Sequence, residues 1–141
     1  MSRRLQQTTG RRAPKLSYQA DPIRESLKIL GRKWTLLILR DVAFLKLRRF
    51  GEVRRNNPGL TARVLSRRLS QMRDEGLLKR REDGKAVYYD LTGTGEDAVY
   101  VLLALLRYGL RHHMNPKVID EIGAMRRLGY ESPFEKESRR K

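Results

Sequence analysis

Between residues 57 and 91 the order of signals leaves little room for alternative folds. Asn57-Pro58-Gly59 breaks any helix and reads as a tight turn. Thr61 follows, a residue whose side chain caps orphan helix amides. Leu65, Leu69 and Met72 then recur at helical spacing, and the run ends near Glu75, closed by Gly76. Two strand-like segments come next, Leu77–Glu82 and Ala86–Leu91, joined through Asp83-Gly84. That dipeptide accommodates the positive φ angles of a tight hairpin.

The flanks supply helices. Asp21-Pro22 is a helix start, Ile23, Leu27 and Leu30 recur at i, i+4 and i+7, and Gly31 is the stop. From Trp34 the run WTLLIL is apolar on all sides, which predicts a second helix central to the core. Residues 50–56 form a short helix with Phe50 and Val53 inward. Thr92 opens another, continuing to about Leu110. Ala98, Val101 and Leu105 line one side of it, and Val99, Leu102, Leu103 and Leu106 another. One globule covers one stripe, so two stripes point to a second body and a dimer helix; a fully buried central helix is the alternative. Residues 116–128 read as a weaker amphipathic helix with Val118, Ile122 and Met125 in register, and the terminal EKESRRK as frayed. The expected fold is mainly α with a small β-hairpin (α+β). Its order of helix, helix, short helix, turn, longer helix, hairpin and helix is that of a winged helix-turn-helix. The expected boundaries are a basic arm over 1–20, the body over 21–112 and a helical extension over 113–141.

A winged helix-turn-helix suits duplex DNA, because a helix fits the major groove while a hairpin beside it reaches phosphates or the minor groove. The helix after the turn therefore needs a polar face opposite its core face. At 100° per residue from Leu65, Leu69 lies at about 40° and Met72 at about −20°, facing inward. Arg63 falls at about 160°, Arg67 at about 200° and Ser70 at about 140°. Arginine is the residue best shaped for bidentate contact with guanine O6 and N7. Ser66 and Arg73 flank that face, and Thr61 at the cap is counted with them as a DNA contact, whereas Arg68 lies on the core side at about −60° and reads as structural support. The hairpin supplies Lys79, Arg80, Arg81 and Lys85 for phosphates. Arg48, Arg49, Arg54 and Arg55 lie where the short helix would cross the DNA backbone.

Charge strengthens that reading. The 141 residues carry 32 Lys+Arg against 16 Asp+Glu, a formal net charge of +16. Residues 46–85 hold 13 basic and 5 acidic groups, and residues 1–20 hold five cations with no acid. A charge run is by default a solvated face; here it coincides with the motif. A polyanion is the partner such charge expects, with an anionic membrane surface second. There is no cysteine, which excludes disulfides, thiolate metal sites and thiol chemistry. The longest strictly apolar stretch, VLLALL at 101–106, is too short for a membrane span. The Arg-rich N-terminus has no apolar signal-peptide core, and a cytoplasmic location is expected.

No signal for catalysis emerges. Gly93-Thr94-Gly95 has neither the third glycine nor the lysine of a nucleotide loop and reads as a helix cap. His112 and His113 diverge by about 100° on a helix, so they would not chelate one metal together. Asp120 and Glu121 have no partner at catalytic spacing. No enzyme activity, cofactor or metal is expected. The leading expectation is a sequence-specific regulator of transcription that binds double-stranded DNA as a homodimer. Alternatives are an architectural DNA-coating protein, or a module whose basic face meets RNA or an anionic protein.

GRKWTLLILRDV (31–42), RRFGEVRR (48–55), PGLTARVLSRRLSQMRDEGLLKRR (58–81) and VYYDLTGTG (87–95) resemble HxlR-type transcription regulators, MarR-related winged-helix proteins. The resemblance covers about residues 21–111. It implies a homodimer joined by the first and last core helices, with recognition helices in successive major grooves of operator DNA. Expected dimer contacts are Ile23, Leu27, Val99, Leu102, Leu103, Leu106 and Leu110, and Trp34 is expected in the core. The chain departs from the pattern where Asp21, in place of a common cysteine, precedes Pro22. Its wing, Glu82–Lys85, is short, and a small-molecule effector is left open.

Overall fold

The computed structural model describes residues 20–115 and 120–134. The basic arm, Val118, the Ile122 side chain and the terminal EKESRRK lie outside the described residues. The chain divides into two compact units after Arg32.

The first unit contributes α1 (Pro22–Leu30). Asp21 caps it by accepting the Ile23 amide at 2.9 Å, Pro22 takes the first turn, and the Gly31 amide closes it on the Leu27 carbonyl at 2.8 Å. Ile23 and Leu27 are exposed.

In the second unit, α2 (Thr35–Ala43) begins one residue later than the apolar run suggests. Trp34 is its N-cap, with a left-handed φ of 78°. Ile38, Leu39, Val42 and Ala43 are buried, whereas Leu37 is exposed, so the helix is not covered on every side. The short α3 (Phe50–Asn56) buries Val53 and half-buries Phe50. After the turn comes α4 (Ala62–Asp74), then an antiparallel hairpin of β1 (Leu78–Asp83) and β2 (Ala86–Leu91). Asp83 pairs with Ala86, so the two-residue loop is Gly84-Lys85 rather than Asp83-Gly84. Gly84 alone takes the positive φ, +61°, at the first loop position, where a II′ turn demands glycine. The Tyr89 amide also donates to the Arg48 carbonyl at 2.8 Å, tying the segment before α3 to the outer edge of β2.

The long α5 (Gly93–His112) starts two residues beyond the end of β2. Thr92 caps it, accepting the Gly95 amide at 3.0 Å and donating to the Leu77 carbonyl at 3.2 Å. A Cβ on Gly95 would stand 2.2 Å from that carbonyl oxygen, so only glycine lets α5 approach β1 this closely. α6 (Glu121–Arg127) folds back on α5. Its Met125 is fully buried in a cluster with Ala43, Val99 and Leu103, joined by Phe44, Tyr130 and Phe134. Burial of a methionine contributes about 1.5–3 kcal/mol, so the extension is part of the core. Arg111 and Arg107 pair with Glu121, and Arg107 stacks on Phe134 at 4.4 Å.

The two stripes of α5 divide differently from expectation. Val99 and Leu103 are fully buried within the protomer and Leu102 nearly so, which removes Val99 and Leu103 from a dimer surface. Met125 and Ala43 fill that side. The apolar groups left exposed are Val101 and Leu105, with Tyr100 and Tyr108. Leu105, Leu106 and Leu110 line a groove of about 470 Å³ with Leu36 and Leu37 of α2. No described helix is long and apolar enough to cross a membrane.

Candidate nucleic-acid interface

The turn between α3 and α4 is held from beneath by a buried carboxylate. Asp41, fully buried near the end of α2, accepts from Arg40 Nε at 2.9 Å, Asn56 Nδ2 at 3.1 Å and Asn57 Nδ2 at 2.7 Å. Asn57 also donates to the Val53 carbonyl at 2.8 Å, and the Leu47 amide closes on the Asp41 carbonyl at 2.9 Å. One acid thus fixes α2, the last turn of α3 and the loop that launches α4. From above, the half-buried Trp34 ring lies over the turn, with Cη2 at 3.8 Å from a Cβ built on Gly59. Arg68 reaches back from α4, Nε donating to the Lys33 carbonyl at 2.8 Å and Nη1 to Gln71 at 2.9 Å. Arg68 therefore staples α4 to the start of α2.

So held, α4 buries Leu65, Leu69 and Met72 and turns the opposite face outward. Thr61 Oγ1 is used locally, accepting the Val64 amide at 3.2 Å. Arg63, Ser66, Arg67, Ser70 and Arg73 are exposed, and their side chains form no hydrogen bond or ion pair with other described residues. These five are thus brought to one solvent-facing helix surface with their donors unspent.

The wing is different, because its register pairs cations with acids. Strand alternation puts Lys79 and Arg81 on one face and Arg80 on the other. Arg81 Nε bonds to Asp90 at 2.7 Å, and Arg48 approaches the same carboxylate at 3.8 Å. The Arg81 hydrogen bond holds the Asp90 carboxyl below the usual carboxylate range and raises the guanidinium's own pKa. Arg80 pairs with Glu82, which raises its pKa. Arg81 also lies over the Tyr88 ring at 4.6 Å, with Arg49 at 5.8 Å from it. Lys85 is exposed at the tip. On α3, Arg54 and Arg55 are exposed, Arg55 Nε touching the Gly51 carbonyl at 3.3 Å.

Sequence reasoning treated the hairpin as a uniformly basic wing and missed Asp90 and Tyr88. The signal for both is the pairing register, which sets Asp90 opposite Lys79 and Tyr88 opposite Arg81. Asp41 was missed as well, having no periodic or charge-run signature.

Comparison with known proteins agrees with this geometry. The family model for HxlR-like helix-turn-helix proteins matches residues 29–117. An uncharacterised HTH-type transcriptional regulator of Mycobacterium tuberculosis is 33% identical over 103 residues, covering 71% of this chain and 64% of the relative. The chain thus spans just under two thirds of the length of that curated relative. Among solved structures, a candidate HxlR-family transcription factor from Thermoplasma volcanium is 33% identical with a TM-score of 0.55, over 68% of this chain and 92% of that one. A candidate MarR-family regulator from Porphyromonas gingivalis is 28% identical with a TM-score of 0.60, over 70% and 98% respectively. The turn, the stapled α4 and the hairpin all fall inside the matched residues, and the chain belongs to the HxlR-like helix-turn-helix family.

Proposed function

We propose that the protein is a sequence-specific regulator of transcription that binds double-stranded DNA as a homodimer, without catalysis, in the cytoplasm. The observation that carries the reading is the division of α4. Leu65, Leu69 and Met72 are sealed inside while Arg63, Ser66, Arg67 and Ser70 face solvent unpaired among the described residues. Arg63 and Arg67 read base edges, with Ser66, Ser70, Arg73 and Thr61 beside them. Lys79, Arg80, Arg81 and Lys85 of the wing, with Arg48, Arg49, Arg54 and Arg55, contact phosphates and set register rather than sequence. The second copy covers exposed apolar groups, Ile23 and Leu27 of α1 and Val101 and Leu105 of α5, and fills the groove at Leu106 and Leu110.

The test starts by selecting a preferred operator from random duplexes with the protein itself. Arg63→Ala and Arg67→Ala are then measured on operator and random DNA at one salt concentration. Neither change removes core packing, so folding is unaltered. Each should cost about 1–3 kcal/mol on operator DNA, concentrated at particular base pairs. Losses equal on both DNAs would replace this reading with that of an architectural DNA-coating protein.

A further inference from the structure

At the base of the wing, on the face that carries Lys79 and Arg81, a polar cleft of about 310 Å³ opens between the hairpin, the end of α2 and the first turn of α5. Its walls carry the cations Lys46, Arg48, Lys79 and Arg81. Its acids are Asp90 and Glu96, leaving two positive charges in excess. Asp90 is occupied by Arg81 and Arg48, and Glu96 accepts from the Tyr130 hydroxyl at 3.3 Å. The Lys46 and Lys79 ammonium groups close no hydrogen bond or ion pair with described residues. Val42 and Leu91 make the floor apolar. Lys46 has a left-handed φ of 56°, a conformation that costs a non-glycine residue energy and that gathers at ligand sites.

We propose that this cleft binds a small organic anion of charge about −2 with a compact apolar body, of the phosphate-monoester class. The charge follows from the two excess cations, and the body from the floor of Val42 and Leu91. Its volume falls at the lower end of small-molecule pockets, about 300 Å³, although its lining is more charged than is usual for them. The ligand's phosphate sits between Lys46 and Lys79 and draws Arg81 away from Asp90, since a dianion outcompetes a monoanion for the same guanidinium. Occupancy therefore takes Lys79 and Arg81 from duplex phosphates. This second consequence rests on the DNA-binding reading; the site itself does not.

The experiment uses the full chain and phenyl phosphate at pH 8, titrated by calorimetry without DNA. One phenyl phosphate should bind per chain, at least about tenfold tighter than inorganic phosphate because the ring covers the floor. Lys46→Gln and Lys79→Gln should each weaken binding at least about tenfold. Lys33→Gln, an equal change of net charge at the opposite end of α2 from the cleft, should stay within about twofold. Binding of several molecules per chain, no preference over inorganic phosphate, or equal losses from Lys33→Gln and Lys46→Gln would overturn the site in favour of diffuse attraction to a basic surface. In a second arm, saturating phenyl phosphate should reduce the salt slope of duplex binding by about 1.8 per chain, about 3.6 for the dimer, because Lys79 and Arg81 no longer neutralise duplex phosphates. An unchanged duplex affinity overturns the coupling. Absence of any duplex binding refutes the DNA reading while the first arm still decides the site.

Discussion

Replacing Asp41 tests whether the turn before α4 is built on its carboxylate. Asp41→Ala removes the acceptor for Arg40, Asn56 and Asn57 at once. Breaking a buried ion pair by deleting one partner costs about 3–5 kcal/mol. Two features place this case at the low end. The Arg40 side chain is 36% exposed and can swing into water, and Asn57 keeps its bond to the Val53 carbonyl. The expected loss is thus about 3 kcal/mol, a large share of a typical domain stability of about 5–15 kcal/mol. With a urea slope of about 1–3 kcal/mol/M, the midpoint falls by about 1–3 M. Asp41→Asn keeps the shape but turns an amide donor toward the Asn56 or Asn57 amide, and should cost about 1–3 kcal/mol. Protein concentration is held fixed, because association adds to apparent stability. A midpoint shift below about 0.3 M for Asp41→Ala, with an unchanged slope, would show that the network is dispensable.

Three further outcomes follow from the structure. Leu105→Glu charges an exposed apolar position rather than a core one, so it should give a folded monomer by sedimentation; operator affinity should fall about 100-fold or more as the two half-sites cease to be linked. Gly95→Ala drives a Cβ into the Leu77 carbonyl and should cost about 1–3 kcal/mol in thermal unfolding, whereas Gly93→Ala, which meets nothing within 4 Å, should not destabilise. Deleting residues 1–20 removes five cations per chain and should flatten the slope of log K against log salt by up to about 4.5 per chain, about 9 for the dimer, while the ratio of operator to random affinity holds; a collapse of that ratio would make the arm a base reader.

Local rules were enough where a signal is carried by neighbours in sequence. Thr61 and Asp21 cap their helices, and Gly76 follows the end of α4. The exposed set on α4 agrees with the helical wheel, because a helix of 13 residues with three buried anchors has one rotational setting. Where two elements compete for one face, sequence was ambiguous. The stripes of α5 could not be assigned until Met125 and Ala43 were seen to fill the side of Val99 and Leu103. The hairpin loop shifted by one residue because Asp83 and Gly84 both tolerate a turn, and only the pairing of Asp83 with Ala86 decides. Asp41 and Asp90 were invisible for a related reason. Apart from the adjacent Arg40, the partners of Asp41 lie 15 and 16 residues away, and those of Asp90 lie 9 and 42 away.

The junction at Thr92 would also make a dimer of this protein a ruler. A single residue separates β2 from α5, and its hydroxyl is bonded to both the Gly95 amide and the Leu77 carbonyl. If α5 defines the axis between two copies, the wing has no slack with which to rotate about it. One base pair inserted between half-sites turns the second by roughly 34°, one part in 10.5 of a full turn. A loosely tethered reader would absorb that twist, but a one-residue junction cannot. On the proposed dimeric reading, tolerance to half-site spacing depends on Thr92 rather than on the residues assigned to base contact, and lengthening this junction should widen the range of acceptable spacings.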